Sequence, residues 1–200
     1  MMPIFKGTAK ADIFTATAEA DIFYVNNVGD VITGGSSQDS VYSFLQSYEL
    51  TAGLGNLVLS VGAISGTGNV GNNIIQGNAL NNMIDGGAGQ DILWGGQGAD
   101  TFVFSHAGDN NCDEILDYKV SVDKIAVRGS AFGLSAGVQH DFVLNGSAVS
   151  NAPTFIRMGT LGTSQVIYFD VDGIGSAKAR AICTVPTFTG AMSASDFSII

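Results

Sequence analysis

A nine-residue period constrains this chain more than any other feature. From Gly68 it reads GNVGNNIIQ, GNALNNMID, GGAGQDILW, GGQGADTFV, in units that begin at Gly68, Gly77, Gly86 and Gly95. Position one is always Gly. Position six is Asn73, Asn82, Asp91 and Asp100, and position eight is Ile75, Ile84, Leu93 and Phe102. A degraded version starts at Gly7 as GTAKADIFT, ATAEADIFY, VNNVGDVIT and GGSSQDSVY. It keeps Asp12, Asp21, Asp30 and Asp39 at position six, and Phe14, Phe23, Ile32 and Val41 at position eight. Between the blocks, residues 43–67 read as two further nines with Leu50 and Leu59 at position eight and no acid at position six. A seven-residue remainder, Val61 to Thr67, then shifts the register.

Each unit has a physical reading. Six residues make a turn, where Gly supplies positive φ and lets backbones approach. Three residues make a strand, whose middle side chain points inward by the two-residue alternation. Two units form one 18-residue coil, which cannot bury its apolar face alone but can do so in a stack. The period therefore predicts an all-β fold, a right-handed parallel β-roll (a β-solenoid of nonapeptide repeats) with a β-rich C-terminal cap. The expected division is a roll over 1–110 and a cap over 111–200. Within the roll lie degraded repeats at 7–42, a spacer at 43–67 and strong repeats at 68–103.

Stacking aligns position six: Asn73 over Asp91, Asn82 over Asp100, Asp12 over Asp30, Asp21 over Asp39. Neighbouring strands lie about 4.8 Å apart. Two carboxylates at that spacing repel by roughly 1 kcal/mol in water and roughly 3 kcal/mol at an effective dielectric of 20. A cation between them removes the penalty. The charge balance agrees, with 18 Asp+Glu against 8 Lys+Arg and a formal net charge of −10. Such a chain lacks the clustered cations that nucleic acid binding needs. An all-oxygen set of Asp and turn carbonyls suits Ca²⁺, and suits Mg²⁺ less because that ion holds its waters.

The run GGAGQDILWGGQGADTFVFS, Gly86 to Ser105, resembles the RTX, or haemolysin-type, calcium-binding repeat. The resemblance implies a parallel β-roll with calcium between stacked turns. It implies carbonyl ligands from Gly86, Gly87, Ala88 and Gly89 and from Gly95, Gly96, Gln97 and Gly98, with carboxylates from Asp91 and Asp100. Asn73 and Asn82 would be neutral partners in the turns above. Asp109, at position six of the next nine, would be the partner below. The less glycine-rich turns of the N-terminal block are weaker candidates for calcium.

The segment from Asp113 to Val127 is similar to the stretch directly after the RTX roll in secreted proteases and alginate-epimerase R-modules. The tail YFDVDGIGSAKARAI…SASDFSII resembles the C-terminal ends of bacterial proteins exported by type I (ABC transporter) secretion, whose signal is uncleaved. That implies a secreted, extracellular protein, and it fits an N-terminus without the apolar run of a cleaved signal. No stretch approaches the roughly 18 apolar residues of a membrane helix.

Other patterns lead nowhere. Gly133 to Gly137 fits G-x-S-x-G with His140 and Asp141 behind it, but lacks the strand–turn–helix that a nucleophile elbow needs. Gly66 to Gly71 fits G-x-G-x-x-G, but only opens the repeat. Asp170-Val171-Asp172-Gly173 starts like an EF-hand loop, yet its twelfth position is Ala181; it reads better as a hairpin turn. Neither His106 nor His140 belongs to a zinc pattern, and Cys112 and Cys183 fit no C-x-x-C spacing. The chain is therefore expected to be no enzyme but a calcium-binding module that folds on Ca²⁺ after export. The alternative is an accessory module that binds polysaccharide. Trp94, at the outward position nine, would report calcium by its fluorescence.

Overall fold

The computed structural model describes residues 2–106, 111–135, 139, 141–144, 152–161, 164–172, 179–186 and 192–200. Asp109 and His140 lie outside them. The fold is an all-β parallel solenoid of about six turns. Its helical content among the described residues is two 3₁₀ turns, Gly129–Phe132 and Ala194–Asp196.

Strands alternate between two walls. One wall stacks Ile4–Lys6, Ile22–Val25, Ser40–Ser43, Asn56–Leu59, Ile74–Gln76, Ile92–Trp94 and Asp113–Ile115, all parallel. The other stacks Ser47–Glu49, Ser65–Thr67, Met83–Asp85, Thr101–Phe104, Lys124–Val127 and Phe197–Ile199. Ile13–Thr15 and Val31–Thr33 form a separate pair in line with this second wall. In the strands of the nonapeptide repeats the position-eight residue points inward, whereas in Asp113–Ile115 and Phe197–Ile199 the flanking residues do. Phe23, Val41, Leu57, Ile75, Ile84, Leu93, Phe102 and Ile125 are fully buried between the walls.

The first wall continues into the C-terminal region. Asp113–Ile115 pairs parallel with Arg180–Pro186. The antiparallel strands Ser164–Asp170 and Thr154–Leu161 come next, then Asp141–Leu144, which runs parallel to its neighbour. Asp170 ends a strand that pairs antiparallel with Arg180–Pro186, and the expected turn from Gly173 onward lies outside the described residues. Gly133 caps the first 3₁₀ turn at φ 73°, so the G-x-S-x-G match opens in a loop. Cys112, just before Asp113–Ile115, and Cys183, in the neighbouring Arg180–Pro186, are unbonded thiols.

The register of the spacer differs from expectation. Strands begin at residues 4, 13, 22, 31 and 40, then at 47, 56, 65, 74, 83, 92 and 101. The short unit is therefore the seven-residue step from Ser40 to Ser47, not Val61 to Thr67. Ser40 pairs with Asn56, and the second wall is broken between Val31–Thr33 and Ser47–Glu49. Tyr48, Leu57 and Gly66 hold the eighth slots, not Leu50 and Leu59. Both leucines are nonetheless buried, because a two-residue slip preserves the inward parity of a strand. The slot at Gly66 is filled by its neighbours: a Cβ there would lie 3.1 Å from the side chains of Leu57 and Leu59.

Candidate metal centre

Position six heads every turn-to-strand junction, and the stack forms two ladders along the roll edges. In each, the backbone N–H of one position-six residue donates to the side-chain oxygen of the next. Asp12 donates to Asp30 Oδ1 at 3.0 Å, and Asp21 to Asp39 Oδ1 at 2.9 Å. Asn73 donates to Asp91 Oδ1 at 2.7 Å, and Asn82 to Asp100 Oδ1 at 2.8 Å. The expected 18-residue stacking is therefore present in both blocks.

The ladders differ in what meets the rest of each side chain. In the N-terminal block the acid is capped by its own turn. Thr8 N–H and Oγ1 donate to Asp12, Thr17 N–H and Oγ1 to Asp21, Asn26 and Asn27 N–H to Asp30, and Ser36 N–H and Oγ to Asp39. The asparagine turns do likewise: Asn69 N–H donates to Asn73 Oδ1 and Asn78 N–H to Asn82 Oδ1, both at 2.8 Å. The amide nitrogens then reach upward. Asn73 Nδ2 donates to the Leu54 and Gly55 carbonyls, and Asn82 Nδ2 to the Ala63 carbonyl. Both ends of these amides are thus engaged with protein.

The two GGxGxD turns break the pattern. Gly87 and Gly96 sit at φ 89° and 94°, open only to residues without a Cβ at low cost. Their N–H groups point away from the acid of their own turn, to Asp85 Oδ1 at 3.1 Å and to Asp117 Oδ2 at 2.7 Å. The next N–H groups, of Ala88 and Gln97, go to the Asn69 and Asn78 carbonyls in the coil above. Asp91 Oδ2 and Asp100 Oδ2 are left buried with no hydrogen-bond partner, in side chains 1% exposed. Each oxygen lies where a Cβ on Gly86 or Gly95 would stand, so position one must be glycine for the carboxylate to fit.

An unpaired buried carboxylate oxygen costs free energy unless a proton or a cation meets it. Burial accordingly raises these groups. It holds the Asp91 and Asp113 carboxyls well above the usual carboxylate range, against their backbone donors. It lifts Asp100 to about 6, with the Asn82 N–H and then Lys119 opposing the rise and Asp123 adding to it. Among the described residues no three His, Cys, Asp or Glu side chains converge as a metal centre. A cation here must draw on backbone oxygens as well, which is hard-ion chemistry. Two orphaned oxygens in glycine-opened turns fit calcium.

The stack below the last full repeats is held by residues that the nine-residue period does not reach. Asp113, 22 residues after Asp91, accepts the Asp91 N–H at 3.0 Å. Asp123, 23 residues after Asp100, accepts the Asp100 N–H at 3.0 Å and the Lys119 N–H at 2.8 Å. The place assigned to Asp109 below Asp91 is thus Asp113's. The signal that finds both is the triplet Asp-x-apolar without its glycines, Asp113-Glu114-Ile115 and Asp123-Lys124-Ile125, at the offset of Asp91-Ile92-Leu93. Asp85, at the mouth of the 86–91 turn, bonds Ser105 Oγ and pairs with Arg128 at 3.5 Å. They line a groove of about 440 Å³ with Glu49 and His106.

Residues 67–102 match the family model of the RTX calcium-binding nonapeptide repeat, in four copies. No curated protein sequence matches the chain. Among solved structures it is similar to the AlgE6R3 subunit from the Azotobacter vinelandii mannuronan C5-epimerase. The identity is 25%, with coverage of 76% of this chain and 77% of that chain and a TM-score of 0.37.

Proposed function

We propose that this chain, whose residues 67–102 are RTX calcium-binding nonapeptide repeats, is a secreted module that calcium folds and stabilises. The observation that carries the reading is the pair of buried, partnerless oxygens, Asp91 Oδ2 and Asp100 Oδ2, in the two complete GGxGxD turns. Asp91 and Asp100 would hold the ions, with carbonyl oxygens of turns 86–89 and 95–98. Bound calcium would supply the positive charge that the ladders lack there. The capped acids at 12, 21, 30 and 39 need no ion.

Calcium that binds only the folded chain stabilises it by mass action. In a calcium-poor cytosol the roll would lose that contribution and stay threadable; outside the cell it would gain it. The tail supports export before folding. Phe197 and Ile199, within the segment that resembles a type I signal, are buried in the second wall. A transporter would read that segment only on an unfolded chain. The polysaccharide reading has less behind it. The outward row of the first wall carries Lys6, Tyr24, Tyr42 and Trp94, but Tyr24 and Tyr42 stack on each other at 5.1 Å and Lys6 Nζ covers Tyr24. Trp94 alone of these is an exposed aromatic ring.

The test is thermal unfolding followed by circular dichroism and Trp94 fluorescence, in calcium and in chelator. A higher melting temperature with calcium is expected, and equal melting curves would overturn the reading. Export is tested separately, by deleting 192–200 and assaying the medium of a host with a type I transporter.

A further inference from the structure

We propose that Cys112 and Cys183 form a disulfide that clamps the last coil of the roll to the C-terminal strands once the chain stands in an oxidising medium. The pairing of the two residues stands on strand register. That the medium is oxidising rests on the secreted reading above, since disulfides persist outside the cell and are rare in the cytosol.

The two walls reach the C-terminal region by different joints. In the second wall Ile125, Ala126 and Val127 pair with Phe197, Ser198 and Ile199. In the first wall the joint is shorter: Asp113 pairs with Cys183 and Glu114 with Thr184. Arg180–Pro186 then carries the antiparallel strands on its far edge. Cys112 directly precedes Asp113, so it stands diagonally across this joint from Cys183. Neighbouring strands lie about 4.8 Å apart and successive Cα atoms about 3.8 Å, which sets the two cysteine Cα atoms about 6 Å apart. That is a common span for a disulfide. Cys112 lies ahead of its strand, so strand alternation does not turn its side chain to the opposite face. Of the charges that bear on the Cys183 thiol, that of Cys112 outweighs that of Asp113, whose Cα is the direct partner. The chain has 2 cysteines, so no other pairing competes within it.

Cys183 is fully buried, as is Ile167, its partner on the other side, whereas Cys112 is half-buried. An oxidant from solution therefore meets Cys112 first. The Cys112 thiolate attacks a small disulfide such as oxidised glutathione, forms a mixed disulfide and expels one thiol. The Cys183 sulfur then attacks Cys112 Sγ, breaks that bond and expels the second thiol. Two cysteine thiols lose two protons and two electrons, and one small disulfide becomes two thiols. In the folded chain this exchange is slow. Burial, and then the Asp113 charge, push the Cys112 thiol up to about 11, and burial holds Cys183 well above the usual thiol range. The thiolate is the attacking form. The bond therefore closes as the chain folds, before the joint buries Cys183.

The full chain is refolded from urea with calcium chloride and oxidised glutathione. It is expected to lose both free thiols by titration in denaturant, to stay monomeric, and to yield one peptide pair joined through Cys112 and Cys183 by mass spectrometry. Two thiols left free, glutathione retained on either cysteine, or dimers joined through Cys112 overturn the pair. The oxidised chain is expected to melt about 10 °C above the reduced one, because the bond closes a long loop, and dithiothreitol should reverse the gain. A bond that forms without raising the melting temperature overturns the clamp. Cys112→Ser should melt like the reduced parent with or without oxidised glutathione; a gain in this variant assigns the effect to glutathione and overturns the clamp as well. Oxidised glutathione added to chain already folded is expected to react at least roughly tenfold more slowly than during refolding, and equal rates overturn the order of events. Every readout uses purified chain, so a failure of the pair and a failure of the export reading are distinguishable.

Discussion

The turns of residues 7–39 and those of residues 86–100 build the same coil and treat its central charge in opposite ways. Both place an acid at position six, and both receive the N–H from the coil above on Oδ1. The first block then spends Thr8, Thr17, Asn26, Asn27 and Ser36 on the acid's remaining lone pairs. The second block has glycine instead, and its N–H groups turn elsewhere. On the calcium reading proposed above, losing the caps makes the metal-free turn worse and opens it to a cation, so one roll would carry the same acid ladder with calcium in one block and without it in the other.

That contrast can be broken in several ways. Chelation has the largest expected effect. Two ions at about 100 times their Kd contribute about 5 kcal/mol, worth roughly 10–20 °C in Tm for a chain of this size. Hydrogen exchange should place the loss in 83–127 and spare 4–43; equal loss of protection across both blocks removes the distinction. Next comes Gly95→Ala. Its Cβ meets the Asp100 carboxylate, so about 1–3 kcal/mol of overpacking is expected, together with weaker calcium binding by titration. Gly62→Ala is the control, with φ 89° but nothing near its Cβ. It should cost about 1 kcal/mol of backbone strain and leave calcium affinity alone.

The pH response of the chelated protein sharpens the same point. Asp91, Asp100 and Asp113 titrate above their unfolded value of about 4. The folded state therefore holds protons that the unfolded state has released. Their contribution is complete below pH of about 4 and is lost as pH rises through 6 and beyond. The chelated Tm is expected to fall between pH 5 and 8, and saturating calcium should flatten that fall. A rise in the chelated Tm over this range would show that the carboxylates are stabilised as anions without metal. The smallest effect is Thr17→Ala, which removes the side-chain cap of Asp21. About 1 kcal/mol is expected, identical in calcium and chelator by denaturant melts.

Much of this was legible before any coordinates. The period, the inward row from Phe14 to Phe102 and the Asp ladders depend on spacing alone, because an 18-residue coil returns each residue to its own position one strand away. The same logic located the orphaned acids of the GGxGxD turns. It failed where the coil length changed. Leu57 and Leu59 share a parity, so no local pattern distinguishes which fills the eighth slot or that the seven-residue step falls at Ser40–Ser47 rather than Val61–Thr67.

Local sequence, then, determined the repeat, the two-walled architecture and the glycine-opened turns with an acid at position six, since each is a property of one unit copied along the chain. Tertiary structure decided the rest. Asp113, Asp117, Lys119 and Asp123 belong to coils of 22 and 23 residues; the Asp-x-apolar triplets mark Asp113 and Asp123 as candidates, and pairing to Ile92–Trp94 and Thr101–Phe104 sets them beneath Asp91 and Asp100. Whether an acid is capped or orphaned depends on where a neighbouring N–H points. That direction is set by backbone torsion and by the coil above, and it is written in no single repeat.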